Sequence, residues 1–126
     1  MLGAVPPIML QTVANPDGFN RDGADVKQGM INDWWRQSMI GGAQAHYDCI
    51  GAFSETDFSD DLKSLTIPVL VLHGKDDQIV PIANSAELAI NLVSKGTLKT
   101  YSDLSHGFFA AHPGIVHPDL LAFVKS

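Results

Sequence analysis

The segment "SDLSHGFFAAHP" (102–113) places His106 at the end of a short alternating apolar stretch and just before Gly107. An imidazole in such a position can take up and return a proton near neutral pH. Upstream, "HGKDDQIVP" (73–81) follows the apolar run "IPVLVLH" and carries two adjacent carboxylates, Asp76 and Asp77. A carboxylate that accepts from one ring nitrogen fixes the histidine tautomer, leaving the other nitrogen free to act as a base toward a serine hydroxyl. Either aspartate could supply that acceptor. One of the pair would lie on the turn and face solvent, and side-chain direction alone does not choose between them.

Two loops can meet only if the elements before them run side by side. "IPVLVLH" (67–73) is continuously apolar, as expected of a parallel strand covered on both faces, with its proline at the permitted end. "NSAELAINLVSKG" sets Ala86, Ala89, Ile90 and Val93 on one helical face and closes at Gly96. "TLKTYS" (97–102) alternates and includes Lys99, which suits a strand near a sheet edge. "HPDLLAFVKS" then predicts a final helix with Pro118 in its first turn and with Leu120, Leu121 and Val124 buried. Strand, helix, strand, helix implies a parallel sheet, and in such sheets working residues gather on loops at the carboxyl ends of the strands. Both candidate loops stand there.

The first half of the chain differs in character. "MLGAVPPIMLQTV" begins apolar, but Pro6 and Pro7 stop a strand after Val5. A turn-rich stretch, "ANPDGFNRDGAD", follows. From there to about Phe53 the spacing is helical: Val26, Met30 and Trp34 form a stripe that Tyr47 and Ile50 continue beyond a break at Gly41-Gly42. The acidic and hydroxyl residues of "SETDFSDDLKSL" suit helix starts, not chemistry. Met30, Trp34, Trp35 and Met39 are expected in the interior of this helical region, with one tryptophan able to reach a pocket. Cys49 is expected to be a buried small apolar residue.

Composition narrows the function classes. A net charge of −6 over 126 residues, with 8 scattered lysines and arginines, argues against a nucleic-acid partner. No apolar run reaches the length of a membrane span, so a membrane partner is not expected and a cytoplasmic location is the default. The spacings of His106, His112 and His117, six and five residues, match no zinc signature. His73, at the end of the first strand, is expected to pack beneath the acid loop as a structural residue. His112 and His117 are expected to flank the start of the final helix.

"HGKDDQIVP" followed by "YSDLSHGFF" resembles the C-terminal part of an α/β-hydrolase, in which the acid corresponds to Asp77 and the base to His106. "GAVPPIMLQTVANPDG" and "WWRQSMIGGAQAHYDCIGAFSETDFSDDL" narrow the resemblance to the cofactor-free haloperoxidases and aryl esterases. The resemblance implies an α/β fold in three parts. Residues 1–13 would end a core strand and form its exit loop, 14–62 would form a helical cap, and 63–126 a C-terminal βαβα core. It also implies serine-dependent ester hydrolysis and perhydrolysis on small esters or carboxylic acids with peroxide, and no metal or other cofactor.

One part of that machinery is missing from these residues. The family's nucleophile sits in G-x-S-x-G on a strand-to-helix elbow, and Ser38, Ser54, Ser64 and Ser94 all lack the flanking glycines. The resemblance puts the elbow and an oxyanion-hole loop upstream of "GAVPP". Two readings result: the C-terminal portion of a hydrolase, inactive by itself, or a non-catalytic remnant or interaction module. In either case an uncovered sheet edge would favour self-association.

Overall fold

The structure is a computed structural model that describes residues 27–126. The expectations for residues 1–13, for the turn-rich stretch and for Val26 lie outside the described residues.

Three helices come first: α1 (Gln28–Ile40), α2 (Gly42–Glu55) and α3 (Ser59–Ser64). Side chains one turn apart support α1, where Arg36 Nη2 and Gln37 Nε2 both donate to Asp33, at 2.6 and 2.7 Å. These donors hold the exposed Asp33 carboxyl below its ordinary range, Arg36 contributing most. Gly42, at φ +72°, makes the break between α1 and α2 in a left-handed conformation that an L side chain rarely adopts. Before α3, Asp57 accepts the backbone N–H of Ser59 at 2.9 Å, and the Ser59 side chain first and then this N–H lower its pKa.

Helix α2 satisfies its own backbone and buries no residue. Cys49 is therefore exposed, contrary to the expectation of a buried thiol, because no other described element covers its face of α2. In α1 only Ile31 is buried; Met30 and Trp34 are half-buried, whereas Trp35 and Met39 stand 39% and 40% exposed. Of the four large side chains expected in the interior, two are half-buried and two are exposed.

The second half is the predicted βαβα pattern with two changes in its helices. Strand β1 (Val69–Gly74) pairs in parallel with β2 (Gly96–Tyr101), from Val69 opposite Gly96 to Gly74 opposite Tyr101. The crossover contains a 3₁₀ turn (Ile82–Asn84) and α4 (Ala86–Ile90), shorter than the helix expected to run on to Gly96. Asn91 Nδ2 donates at 2.7 Å to the Glu87 carbonyl, and Leu92 and Val93 close tighter turns onto Ala89 and Ile90. Such side-chain competition with the backbone is why asparagine ends helices.

Helix α5 (Phe108–Ala111) leads into α6 (Pro113–Val124). Pro113, not Pro118, opens this last helix, and Pro118 and His117 lie inside it. The reason is that Pro113 already supplies the fixed φ and missing N–H that suit a first turn. At Pro118 the ring faces residue i−4, which is Gly114, where no side chain adds to the crowding. The covered face of α6 runs through Val116, Asp119 and Phe123. Val116 is fully buried against the Tyr101, Leu104 and Phe108 cluster, with Leu72 packed beside it. Leu120, Leu121 and Val124, expected inside, are 38%, 54% and 73% exposed. No described element covers that side of α6.

Among the described residues, no helix is long and apolar enough to cross a membrane.

Candidate active site

Gly74 ends β1 inside the contact between the two candidate loops. A Cβ there would lie 2.2 Å from the Leu104 carbonyl oxygen and 3.0 Å from that of Ser105. Only glycine lets the backbones approach so closely. The contact is closed by hydrogen bonds from Lys75 N–H to Tyr101 O at 2.8 Å and from Asp76 N–H to Leu104 O at 3.1 Å. Asp103 turns the chain out of β2 at φ +61°, a left-handed conformation that aspartate tolerates better than most residues.

This frame brings Asp77 and His106 together and leaves Asp76 out of the pair. His106 Nδ1 lies 2.8 Å from Asp77 Oδ2. The Asp77 side chain is 3% exposed and that of His106 is 43% exposed. The other carboxylate oxygen, Oδ1, accepts the backbone N–H groups of Ile79 and Val80 at 3.0 and 2.8 Å. Because a carboxylate only accepts, His106 must carry its proton on Nδ1. Its Nε2 is then the basic nitrogen.

No described serine hydroxyl is bonded to His106. Ser38 Oγ donates to Trp34 O, Ser54 Oγ to Ile50 O, Ser64 Oγ to Asp61 O and Ser94 Oγ to Leu65 O, at 2.7–3.0 Å. Each of these hydroxyls is committed to a backbone carbonyl.

His73 lies beneath the acid loop, as expected. Its Nε2 is 3.0 Å from the Val80 carbonyl oxygen and 3.5 Å from Asp77 Oδ2. One polar cluster lies beyond what the sequence suggests. Asp119 of α6 binds Lys99 Nζ and accepts the Tyr101 hydroxyl at 2.8 Å, tying the helix to β2. Burial first, and then the Asp119 carboxylate, pushes the Tyr101 phenol up to about 12. Lys99 and then Tyr101 lower the pKa of Asp119. The 18 and 20 residues between these partners leave no local spacing to read.

Residues 5–111 match the family model described as "Serine aminopeptidase, S33", and so most of the chain lies within it. The chain belongs to this family of α/β-hydrolases. It is also similar to curated relatives over its whole length. It is 47% identical to a non-heme haloperoxidase from Rhodococcus erythropolis, over 100% of this chain and 57% of the relative. It is 40% identical to a bifunctional esterase/perhydrolase from Acinetobacter calcoaceticus, again over 100% and 57%. In structure it resembles a bromoperoxidase from Bacillus anthracis, with a TM-score of 0.81 at 30% identity, covering 95% of this chain and 44% of that one. The α/β-hydrolase resemblance of "HGKDDQIVP" and "SHG", and its narrowing by "GAVPPIMLQTVANPDG" and "WWRQSMIGGAQAHYDCIGAFSETDFSDDL" to the haloperoxidases and esterases, are both borne out.

The chain spans little more than half the length of the curated relatives it matches. The aligned stretch is also longer than the chain: 126 residues are 31 fewer than its 157 positions. The relatives thus have chain within the stretch that has no counterpart in this protein.

Proposed function

We propose that Asp77 and His106 are the acid and base of a serine-dependent hydrolase, and that this chain is its C-terminal portion. Residues 14–62 would serve as its cap and 63–126 as the core that holds both groups. The observation that carries the reading is the 2.8 Å contact between a buried carboxylate and a half-exposed imidazole, each at the carboxyl end of one of two paired parallel strands.

The chemistry follows from the tautomer. With Nδ1–H donated to Asp77, His106 Nε2 removes the proton of a serine hydroxyl as that oxygen attacks an acyl carbon. The imidazolium formed is stabilised by the carboxylate and returns the proton to the leaving alcohol or water. In the second half of the cycle Nε2 deprotonates the incoming nucleophile. Water yields a carboxylic acid, whereas hydrogen peroxide yields a peracid, and each regenerates the serine. A released peracid passes its outer OH to chloride or bromide, giving the hypohalous acid and a carboxylate that takes a proton from water, so this route draws on no redox cofactor. The substrates are then small esters, or carboxylic acids with peroxide, as the name of the esterase/perhydrolase relative suggests. The serine and its oxyanion donors would come from residues outside these 126, since none of the nine serines stands in a G-x-S-x-G elbow and none is bonded to His106.

Labelling with a fluorophosphonate, which modifies activated serines, tests the proposal by intact mass. The 126-residue chain alone should gain no adduct while remaining folded by circular dichroism. Mixed or co-expressed with an upstream segment that carries a G-x-S-x-G elbow, the complex should label on the elbow serine and hydrolyse aryl esters. Asp77→Asn and His106→Ala should each reduce that activity by about 10³-fold or more. A stoichiometric adduct on the chain alone would overturn the assignment of a nucleophile from elsewhere. Full activity in His106→Ala would overturn the base.

The exposed apolar side of α6 favours a second reading, that the chain is a non-catalytic module which associates through this surface or an open sheet edge. Sedimentation separates the two: a chain that self-associates and is never activated by the upstream segment supports the module.

A further inference from the structure

The hydrogen bonds around Asp77 form a closed path that begins at His73. The Val80 N–H donates to Asp77 Oδ1 at 2.8 Å, and the Val80 carbonyl lies 3.0 Å from His73 Nε2. That same Nε2 is 3.5 Å from Asp77 Oδ2, the oxygen that holds His106. A carbonyl oxygen only accepts, so His73 Nε2 must carry a proton. It is thus a fixed donor pointed at Val80 O, with the carboxylate as its second neighbour. The His73 side chain is 13% exposed, at the end of a strand, where β2 holds its backbone opposite Thr100. The acid loop, by contrast, contains no regular element between Gly74 and Ile82.

We infer that His73 is a positioning residue: its Nε2–H anchors the Val80 carbonyl and thereby aims Asp77 Oδ2 at His106 Nδ1. The inference rests on the reading of Asp77 and His106 as acid and base, and adds to it the group that orients the acid. Without the anchor, the side-chain hydrogen bond left to Val80 is the one to the carboxylate it is meant to orient, and Asp77 would share its rotation with an irregular turn. The second-neighbour distance adds electrostatics to geometry, since a polarised N–H beside Oδ2 complements its negative charge.

The test reads the His106 tautomer in the full 126-residue chain by ¹⁵N long-range correlation spectroscopy at mildly alkaline pH. Free neutral histidine favours the Nε2–H form, so an Nδ1–H form reports a carboxylate held in place. The chain should show His106 as Nδ1–H, and Asp77→Asn should lose that form. His73→Phe should lower the Nδ1–H to Nε2–H ratio by about tenfold, the order of one charge-assisted hydrogen bond. His73→Gln, whose amide nitrogen can reach where Nε2 stood, should restore the ratio. His73→Asn, whose amide stops short of Val80, should not. If His73→Phe keeps the unsubstituted ratio, or if the Asn and Gln variants behave alike, the positioning role is overturned. The Asn and Gln pair still decides it should the Phe variant unfold. If Asp77→Asn itself leaves His106 as Nδ1–H, the acid assignment fails, a result distinct from failure of the His73 inference.

Discussion

Helix α2 and the paired loops at the ends of β1 and β2 show opposite ways of holding a chain in place. Helix α2 satisfies its backbone locally, through 14 residues of its own hydrogen bonds, and leaves Tyr47, Ile50 and Phe53 between 54% and 78% exposed. The loops have almost no local order, yet Asp77, Leu104 and Ser105 are all at least nine-tenths buried. Their bonds run between segments about 29 residues apart in sequence. A helix closes its backbone hydrogen bonds within itself, whereas a loop that positions chemistry depends on every partner being present. Substitutions should therefore be tolerated in the first region and costly in the second.

The largest contrast is between two glycines. Gly74→Ala would set a methyl group 2.2 Å from a backbone oxygen and so must separate the loops. A loss of about 3 kcal/mol is expected in urea unfolding, with loss of the His106 Nδ1–H signal. Next, Val116→Ala should cost about 2 kcal/mol, because Val116 is fully buried in the cluster beneath the base loop. Phe53→Ala, a larger truncation at a 78% exposed site, should stay within about 0.5 kcal/mol. Equal costs would show that α2 is covered in solution. Gly51→Ala in α2 meets open space and should stabilise by up to about 1 kcal/mol through helix propensity alone.

The smallest effects are electrostatic, at the Lys99, Tyr101 and Asp119 contact. Tyr101, with its phenol raised to about 12 from an ordinary 10.0, contributes stability that is complete below pH 10. That stability fades as pH rises through 12. Asp119 is lowered, so its part is present above the ordinary carboxylate range and is lost as pH falls through its folded pKa. Asp119→Asn should flatten the acid limb of a stability-against-pH profile and bring the Tyr101 absorbance titration down from about 12. An unchanged tyrosine titration would mean that burial alone sets it.

The sequence made different parts of this arrangement legible for different physical reasons. Strands β1 and β2 could be read because period and composition are local properties, and Gly41-Gly42 marked the break between α1 and α2 for the same reason. Asp77 and His106 stood out because polar clusters directly after apolar strands are uncommon and the topology brings such loops together. The choice of Asp77 over Asp76 came from family resemblance, and in the structure it is Asp77 that lies 2.8 Å from His106. What the sequence hid was non-local: the exposure of Cys49, the outward side of α6, and the bond from Asp119 to a tyrosine 18 residues earlier. Burial depends on what lies across a face, and periodicity reports only that a face exists. Pro118 misled because either proline could have opened the helix, and the earlier one did.

The parallel register of β1 and β2 has one more consequence. Gly74 stands opposite Tyr101, so the acid and base loops leave the sheet at the same height. The spacing of carboxylate and imidazole is then measured across the ladder and does not depend on the length of chain between them. Residues could be added to the crossover at an exposed position such as Asn91 without displacing the pair, so long as Val93 stays buried and the Lys95 carbonyl keeps its bond to Val69. One residue inserted inside either strand would advance its loop by about 3.3 Å and turn its side chains to the opposite face. Variation in this region should therefore be abundant in length along the crossover and nearly absent within the strands.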